Sequence, residues 1–271
     1  MSARTIKLRH ALALGLAQGP TELLPVSSSA HTTLIPLLLG WPYPELDGEL
    51  RKSFEVALHA GAGLALALDM HEELITAAGT LDRRRAAVAA LSLAPAVLAG
   101  LVLRPLIERR LGGPRSIAVG LAVGGLAMAR AERGAGGATA RAYEDAGPGD
   151  GLALGAAQAI ALAPGVSRYG ATLATARVRG FSPEAAQTLS WHAALPVVLG
   201  AGVLKGSRLV RHGAPAGAGV PLLVGAGAAF VSTLLSARLL RRPRRALRSL
   251  RPWSAYRIVL AGLVYRRLRA Q

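Results

Sequence analysis

The sequence predicts an all-α polytopic membrane protein, and its composition is the first observation that points to this class. Of its 271 residues, 52% are hydrophobic and 17% are charged, and the mean hydropathy is +0.38. Soluble domains carry about 25% charged residues. A soluble Ala/Leu-rich helical protein would need polar faces at the helical period, and the apolar segments of this chain lack them.

The placement of charge is the second observation, because it divides the chain into apolar segments. Several segments are shorter than the roughly 20 residues of a straight span, which favours half-helices and tilted helices beside full spans. We expect one multi-pass integral membrane domain over residues 1–271. The low-charge segments are residues 11–40, 54–68, 86–103, 116–129, 150–178, 189–204, 220–240 and 253–265.

An internal repeat is the third observation. Gln18 aligns with Gln158 and Ser27 with Ser167, at a constant offset of 158 − 18 = 140 positions. In each copy, proline and small polar residues interrupt an apolar stretch. Paired broken segments in two halves of a membrane protein indicate a site near the bilayer midplane. We therefore expect the site to be built from both copies.

The repeat also predicts how the chain is divided. The two halves are roughly residues 8–128 and 150–268. The stretch 129–149 between them is rich in glycine, alanine and charge, which is typical of a linker.

The chain has no cysteine, so disulfide and thiol chemistry are excluded.

The net charge of +17 comes from arginines that flank the apolar segments. They gather at Arg83–Arg85, at Arg109–Arg110 and within Arg238–Arg251. This pattern favours contact with anionic membrane lipids and argues against nucleic acid as a partner. Basic residues border both ends of several segments, so the charge bias does not determine the orientation in the membrane.

The first broken segment contains a carboxylate. Gln18 and Glu22 are four residues apart, on one face of a helix. A carboxylate inside an apolar segment indicates a functional site, with a structural pair to an arginine as the alternative. Pro25 predicts the end of this helix.

Three hydroxyls and a histidine follow the break, at Ser27, Ser28, Ser29 and His31. A half-helix that restarts at these serines would turn its free N–H groups towards them and form an anion site. Simple N-capping is the alternative, and it accounts for one serine rather than three.

The second broken segment contributes a cation. Arg168 stands where the first copy has Ser28, and a guanidinium suits bidentate phosphate binding. A structural pair of Arg168 with Glu22 is the alternative. Gly165 allows close approach of the backbone to a ligand, and Thr172 adds a hydroxyl. Carboxylate, serine, histidine and arginine together indicate phosphate chemistry with a serine nucleophile.

Two stretches carry a family resemblance. Gln18 to His31, with its Pro-Val-Ser-Ser run, closely resembles the first signature of bacterial undecaprenyl-diphosphatases, the bacitracin-resistance family. Pro164 to Thr172 matches the second signature, Pro-Gly-x-Ser-Arg-Ser-x-x-Thr. Tyr169 replaces the usual serine, and Ala30 replaces the usual glycine.

The resemblance implies a fold and a reaction. The fold would combine full transmembrane helices with two re-entrant helical hairpins in an inverted repeat. The reaction would hydrolyse a C55 polyprenyl diphosphate to the monophosphate and inorganic phosphate in the bacterial inner membrane, which recycles the cell-wall lipid carrier.

The resemblance also implies residue roles. Ser28 would be the nucleophile, Glu22 and His31 the general base and acid, and Arg168 the group that holds the diphosphate. The residues expected to assist substrate binding are Gln18, Ser27, Ser29, Gly165, Ser167, Tyr169 and Thr172. A divalent cation, Mg²⁺ or Ca²⁺, is left open, because one buried carboxylate is a thin site for either ion.

Two other functions remain open at this point. A polyprenyl-phosphate flippase would share the inverted repeat and the arginine, but it needs neither a nucleophile nor a proton shuttle. An inactive paralogue that only binds polyprenyl phosphate is the other alternative, suggested by Tyr169 and Ala30. A homodimer is also left open.

Overall fold

A computed structural model describes residues 5–133, 140–212, 217–241 and 247–270. In these ranges the regular secondary structure is helical, apart from one isolated bridge between Arg141 and Phe181. The all-α prediction is confirmed. The helices are α1 (Leu8–Leu23), α2 (Ser28–Leu38), α3 (Gly48–Asp69), α4 (His71–Gly79), α5 (Arg83–Leu111), α6 (Pro114–Arg133), α7 (Pro148–Ile160), α8 (Arg168–Val178), α9 (Pro183–His212), α10 (Gly219–Arg241) and α11 (Arg251–Arg269).

Both predicted helix breaks are present. α1 ends at Leu23 and α2 begins at Ser28, so the first break contains Pro25. α7 ends at Ile160 and α8 begins at Arg168. Proline removes a backbone donor and clashes with the preceding turn, which accounts for the end of the first helix.

The two broken segments also agree in their details. α1 begins at Leu8 and α7 at Pro148, which is the offset that aligns the two copies of the repeat. Ser27 and Ser167 precede the second helix of each pair with φ values of 76° and 66°. Few residues other than glycine adopt this left-handed region, so the shared conformation is a specific local feature.

The chain divides into two compact units, and the first contains α1, α3 and α10. It comprises Met1–Leu23, His31–Glu72 and Val198–Arg242. Glycines let its helices approach closely. A Cβ on Gly61 of α3 would lie 2.1 Å from the Ala226 carbonyl oxygen on α10. The fully buried Phe54 belongs to the apolar core of this unit.

The second unit contains α5, α6, α7, α8 and α11. It comprises Leu24–Ala30, Glu73–Val197 and Pro243–Gln271. α5 packs on α7, and α6 packs on both α8 and α11. A Cβ on Gly155 of α7 would lie 2.3 Å from the Leu91 carbonyl oxygen on α5, so these helices are in close contact.

Contacts join the outer ends of each broken pair. At the start of α7, the Asp150 carboxylate forms ion pairs with Arg141 and with Arg179, which follows α8. In the first pair, the His10 ring of α1 stacks on Trp41 beyond α2, with ring centroids 4.0 Å apart. Each pair is therefore closed at the end opposite its break.

The predicted linker overlaps the end of α6. α6 continues to Arg133, so the first residues of the stretch 129–149 are helical. Residues 134–139 of this stretch, and residues 242–246 of the basic segment Arg238–Arg251, lie outside the described residues.

Among the described residues, two helical segments are long and apolar enough to cross a membrane. They are Arg83–Leu103 of α5 and Gly219–Leu240 of α10. A third candidate is the pair Pro105–Leu111 and Pro114–Arg133, which is bent by 101°. Large apolar side chains are exposed on both spans, for example Leu101 and Leu223. Exposed apolar faces of this kind suit a lipid environment.

Candidate active site

Gln18 and Glu22 are hydrogen-bonded near the end of α1. Nε2 of Gln18 donates to Oε2 of Glu22 over 2.9 Å. Gln18 is buried, and its Oε1 has no hydrogen-bond donor within the described part of the chain. The pair thus presents a half-buried carboxylate held by its neighbour. It also presents an amide oxygen that can accept a hydrogen bond from water or a ligand.

The serine cluster lies at the start of α2. Ser28 is the first residue of this helix and is half-buried. The hydroxyl oxygens of Ser27 and Ser29 are 3.3 Å apart, within hydrogen-bonding distance. The free N–H groups and the dipole at a helix N-terminus favour negative charge. The Ser28 hydroxyl is therefore placed where a phosphate is electrostatically favoured.

Arg168 occupies the equivalent position at the start of α8. The preceding Ser167 caps this helix, because its Oγ accepts a hydrogen bond from the Gly170 N–H over 3.1 Å. Arg168 is half-buried. Ser28 and Arg168 are therefore each the first residue of a helix that follows a break.

Two predicted substrate-binding residues have structural contacts within α8 and beside it. The Thr172 hydroxyl donates to the carbonyl oxygens of Arg168 and Tyr169, over 3.1 and 3.2 Å. Tyr169 is buried, and its ring centroid lies 4.8 Å from that of Trp191 on α9. These contacts stabilise the first turns of α8. The roles of Thr172 and Tyr169 in substrate binding stay predictions.

Gly165 allows a close approach, and the neighbour in this structure is α6. Its φ is 93°, and an added Cβ would lie 2.3 Å from the Ile117 carbonyl oxygen. In the same contact, a Cβ on Gly120 would lie 2.3 Å from the Pro164 carbonyl oxygen. The second loop therefore packs against the backbone of α6, and both positions require glycine.

A buried arginine joins the loops at the two breaks. Nη1 of Arg257 donates to the Pro25 carbonyl oxygen over 3.1 Å. Nη2 donates to the carbonyl oxygens of Gly165 and Val166 over 2.8 and 2.7 Å. One guanidinium group therefore holds backbone atoms of both signatures.

Arg257 was not among the predicted site residues, although the sequence contains a signal for it. It is the only charged residue in the apolar segment 253–265. An ionisable residue inside such a segment indicates a function by default. The charge pattern of the sequence does not show that the partners of Arg257 are carbonyl groups of two loops distant in the chain.

The second unit brings together the serines of the first signature and the residues of the second. Ser27–Ser29 and Gly165–Thr172 belong to this unit. Gln18, Glu22 and His31 belong to the first unit.

Few side chains of the candidate site could act as ligands to a metal ion. Within the described ranges, no group of three or more His, Cys, Asp or Glu side chains is arranged to hold one. Glu22 and Gln18 supply only carboxylate and amide oxygens. These are fewer ligands than the 6–8 oxygens that Ca²⁺ takes or the octahedral set that Mg²⁺ demands. Within the described residues, Glu22 and Gln18 alone would not complete the coordination of either ion.

Comparisons with known proteins show the family to which the chain is similar. The family model described as bacitracin resistance protein BacA matches residues 11–263. A relative in Geobacter sulfurreducens, named undecaprenyl-diphosphatase, is 38% identical over 269 residues, which cover 95% of this chain and 97% of the relative. A relative of the same name in Thermomicrobium roseum is 38% identical over 276 residues, covering 94% and 95% of the two chains.

Proposed function

Since the chain belongs to the bacitracin resistance protein BacA family, we propose that it is an undecaprenyl-diphosphatase. It hydrolyses a C55 polyprenyl diphosphate to the monophosphate and inorganic phosphate, and so acts in cell-wall synthesis and bacitracin resistance. Relatives with this name match the chain over nearly its full length. The flippase and the inactive paralogue are not favoured.

One observation carries the assignment of the site. Arg257 bonds to Pro25 in the first signature and to Gly165 and Val166 in the second. Ser28 follows Pro25 by three residues, and Arg168 follows Val166 by two. This proximity of the loops supports a site to which both signatures contribute.

The reaction begins with attack by Ser28. Its Oγ forms a bond to the terminal phosphorus, and the bond from that phosphorus to the bridging oxygen breaks. Polyprenyl monophosphate leaves with the bridging oxygen. Water then attacks the phosphoserine, which releases inorganic phosphate and restores the Ser28 hydroxyl. Division into two displacements of this kind is typical of nucleophilic catalysis.

Proton transfer is assigned to Glu22 and His31. One group takes the proton from the Ser28 hydroxyl as the P–O bond forms, and one protonates the leaving group. The assignment rests on the sequence signature. The hydrogen bond from Gln18 supports the Glu22 carboxylate and orients it.

Arg168 holds the diphosphate and stabilises the charge that develops in the transition state. Its planar fork can donate two parallel hydrogen bonds to phosphate oxygens. The start of α2 adds backbone N–H groups and the helix dipole, which favour the same anion. Ser29 supports binding from the exposed side of the cluster.

The architecture we propose is an inverted repeat with two re-entrant hairpins, α1–α2 and α7–α8, within a multi-pass protein of the inner membrane. The matching helix starts and the shared conformation of Ser27 and Ser167 support the repeat. The contacts of His10 with Trp41 and of Asp150 with Arg179 support a hairpin form for each pair. The flanking arginines would bind anionic lipids.

The test of the function is phosphate release from C55 polyprenyl diphosphate by the purified chain, in detergent and in lipid. We expect turnover by the wild type and only a small residual rate in Ser28→Ala, since a site without its nucleophile keeps some catalysis from its remaining groups. A parallel measurement with EDTA reports whether a divalent cation takes part. A wild type that releases no phosphate would contradict the proposed function, and equal turnover by the wild type and Ser28→Ala would contradict the role of Ser28.

A further inference from the structure

The charge of Arg257 is buried completely. The residue lies on α11, and 0% of its surface is exposed. By volume it is the largest of the fully buried side chains among the described residues. Removing a guanidinium from water is costly unless its donors are satisfied. The hydrogen-bond acceptors around this guanidinium therefore offset the cost of its burial.

The fork of the guanidinium spans two loops. One terminal nitrogen donates to Pro25, and the other donates to Gly165 and Val166. All three acceptors lie in the breaks between helices, where buried backbone carbonyls have no helical partner. The arginine supplies the donors that these carbonyls need.

The other contacts of Arg257 fix the fork on α6. Nε donates to the Leu121 carbonyl oxygen and Nη2 to that of Gly120, both over 3.4 Å. The Met128 sulfur lies 3.7 Å from Nη1. Gly124 provides the space, because a Cβ there would lie 2.1 Å from Nη2. The group therefore has a fixed place from which it holds both loops.

The internal repeat does not account for this arginine. The position 140 residues earlier in the alignment is Ile117. The arginine is therefore a feature of the second half alone, although its contacts reach the loops of both halves.

We propose that Arg257 is a positioning residue that sets the distance between the Ser28 nucleophile and the Arg168 guanidinium. The inference rests on the proposed diphosphatase site. Arg257 acts through the backbone of the two loops and need not touch the substrate. Its planar fork is essential to this role, since a lysine ammonium is a compact point charge that cannot reach the carbonyls of both loops at once.

Arg257→Lys is the first test. A misplacement of reacting groups by about 1 Å can cost about 10²-fold in rate. We therefore expect kcat to fall by about 10²-fold, with KM changed less than about threefold, since each loop keeps its own binding groups. Amide hydrogen exchange should rise in residues 24–28 and 164–168 together. Arg266→Lys, an exposed change on the same helix, is the matched control.

Gly124→Ala is the second test, because it leaves the arginine in place. The added methyl group would displace the guanidinium and should reproduce the fall in kcat and the rise in exchange of both loops. Gly262→Ala on α11 is its control, since a Cβ there meets nothing within 4 Å.

Three results would overturn the proposal: wild-type kcat in Arg257→Lys, unchanged exchange in either loop, or failure of both Arg257→Lys and Gly124→Ala to fold. The last result would make the arginine structural only. If the wild type itself releases no phosphate, the proposed function fails, while the exchange measurement still tests the contacts of Arg257.

Discussion

Replacement of Asp150 by asparagine should destabilise the second unit, because this carboxylate joins the two ends of the α7–α8 pair. Its side chain is 4% exposed. Oδ2 lies 2.7 Å from Nη2 of Arg141 and accepts from the Gly147 N–H over 2.8 Å. Oδ1 bonds to Arg179 and to Nη1 of Arg141. Asparagine keeps the volume and removes the charge that compensates two arginines.

The expected loss is about 3 kcal/mol of unfolding free energy. Removal of one partner from a buried ion pair costs about 3–5 kcal/mol. The arginine side chains are 33% and 38% exposed, so water compensates part of their charge and the lower end of that range applies. A loss of this size should lower Tm by about 6–12 °C in a chain of this length.

The pH dependence of this difference has a definite sign. Burial alone would raise the pKa of Asp150, but hydrogen bonds from Arg141, the Gly147 N–H and Arg179 outweigh burial and hold this pKa well below its usual value. A carboxyl whose pKa is lower in the folded state contributes stability above its unfolded pKa, and loses it as the pH falls towards the folded pKa. The difference in Tm should be constant from pH 7 to about pH 5 and shrink below about pH 4.

Thermal unfolding in detergent, followed by circular dichroism or dye fluorescence between pH 3 and pH 7, is the assay. Glu144→Gln is the control, since Glu144 is exposed nearby and a change there should stay within about 0.5 kcal/mol. An unchanged Tm in Asp150→Asn at pH 7, or a difference that grows on acidification, would refute the reasoning.

Three further predictions concern the site and the packing. Arg168→Lys should lower kcat by about 10²–10³, nearly as much as Arg168→Ala, because the bidentate fork is lost; near-normal turnover would mean that charge alone suffices. Gly61→Ala should lower Tm, because the added methyl group would clash with Ala226. Gly63→Ala is the control and should leave Tm unchanged, since a Cβ there meets nothing within 4 Å; equal Tm values for the two variants would contradict the contact with Ala226. Tyr169→Ser should lower Tm through lost ring packing yet retain or raise kcat per folded molecule, and a loss of kcat would reveal a site that depends on the tyrosine.

The sequence was sufficient to predict the helical class and the two breaks. Proline and serine clusters locate the breaks because their effects on the backbone are local. A helix that restarts at the serine cluster was also considered from the sequence, and α2 begins at Ser28. Helix breaks of this kind depend on neighbouring residues in the chain, so the sequence contains the information needed to predict them.

Long-range contacts could not be predicted in this way. The partners of Arg257 are backbone carbonyls, and these carry no residue-type signal. Gly165 was expected to admit a ligand, but its Cβ position is occupied by the backbone of α6. Asp150 meets Arg141 and Arg179 only because the ends of α7 and α8 come together. These contacts depend on tertiary packing, which composition and spacing do not specify.

The rate of phosphate release from C55 polyprenyl diphosphate in a double-mutant cycle of Ser28→Ala and Arg168→Ala tests the central claim most directly. If both residues act on one phosphate, the double variant should be no slower than the slower single variant, because groups that act as a unit are non-additive. A double variant slowed by the product of the two single factors would contradict the composite site.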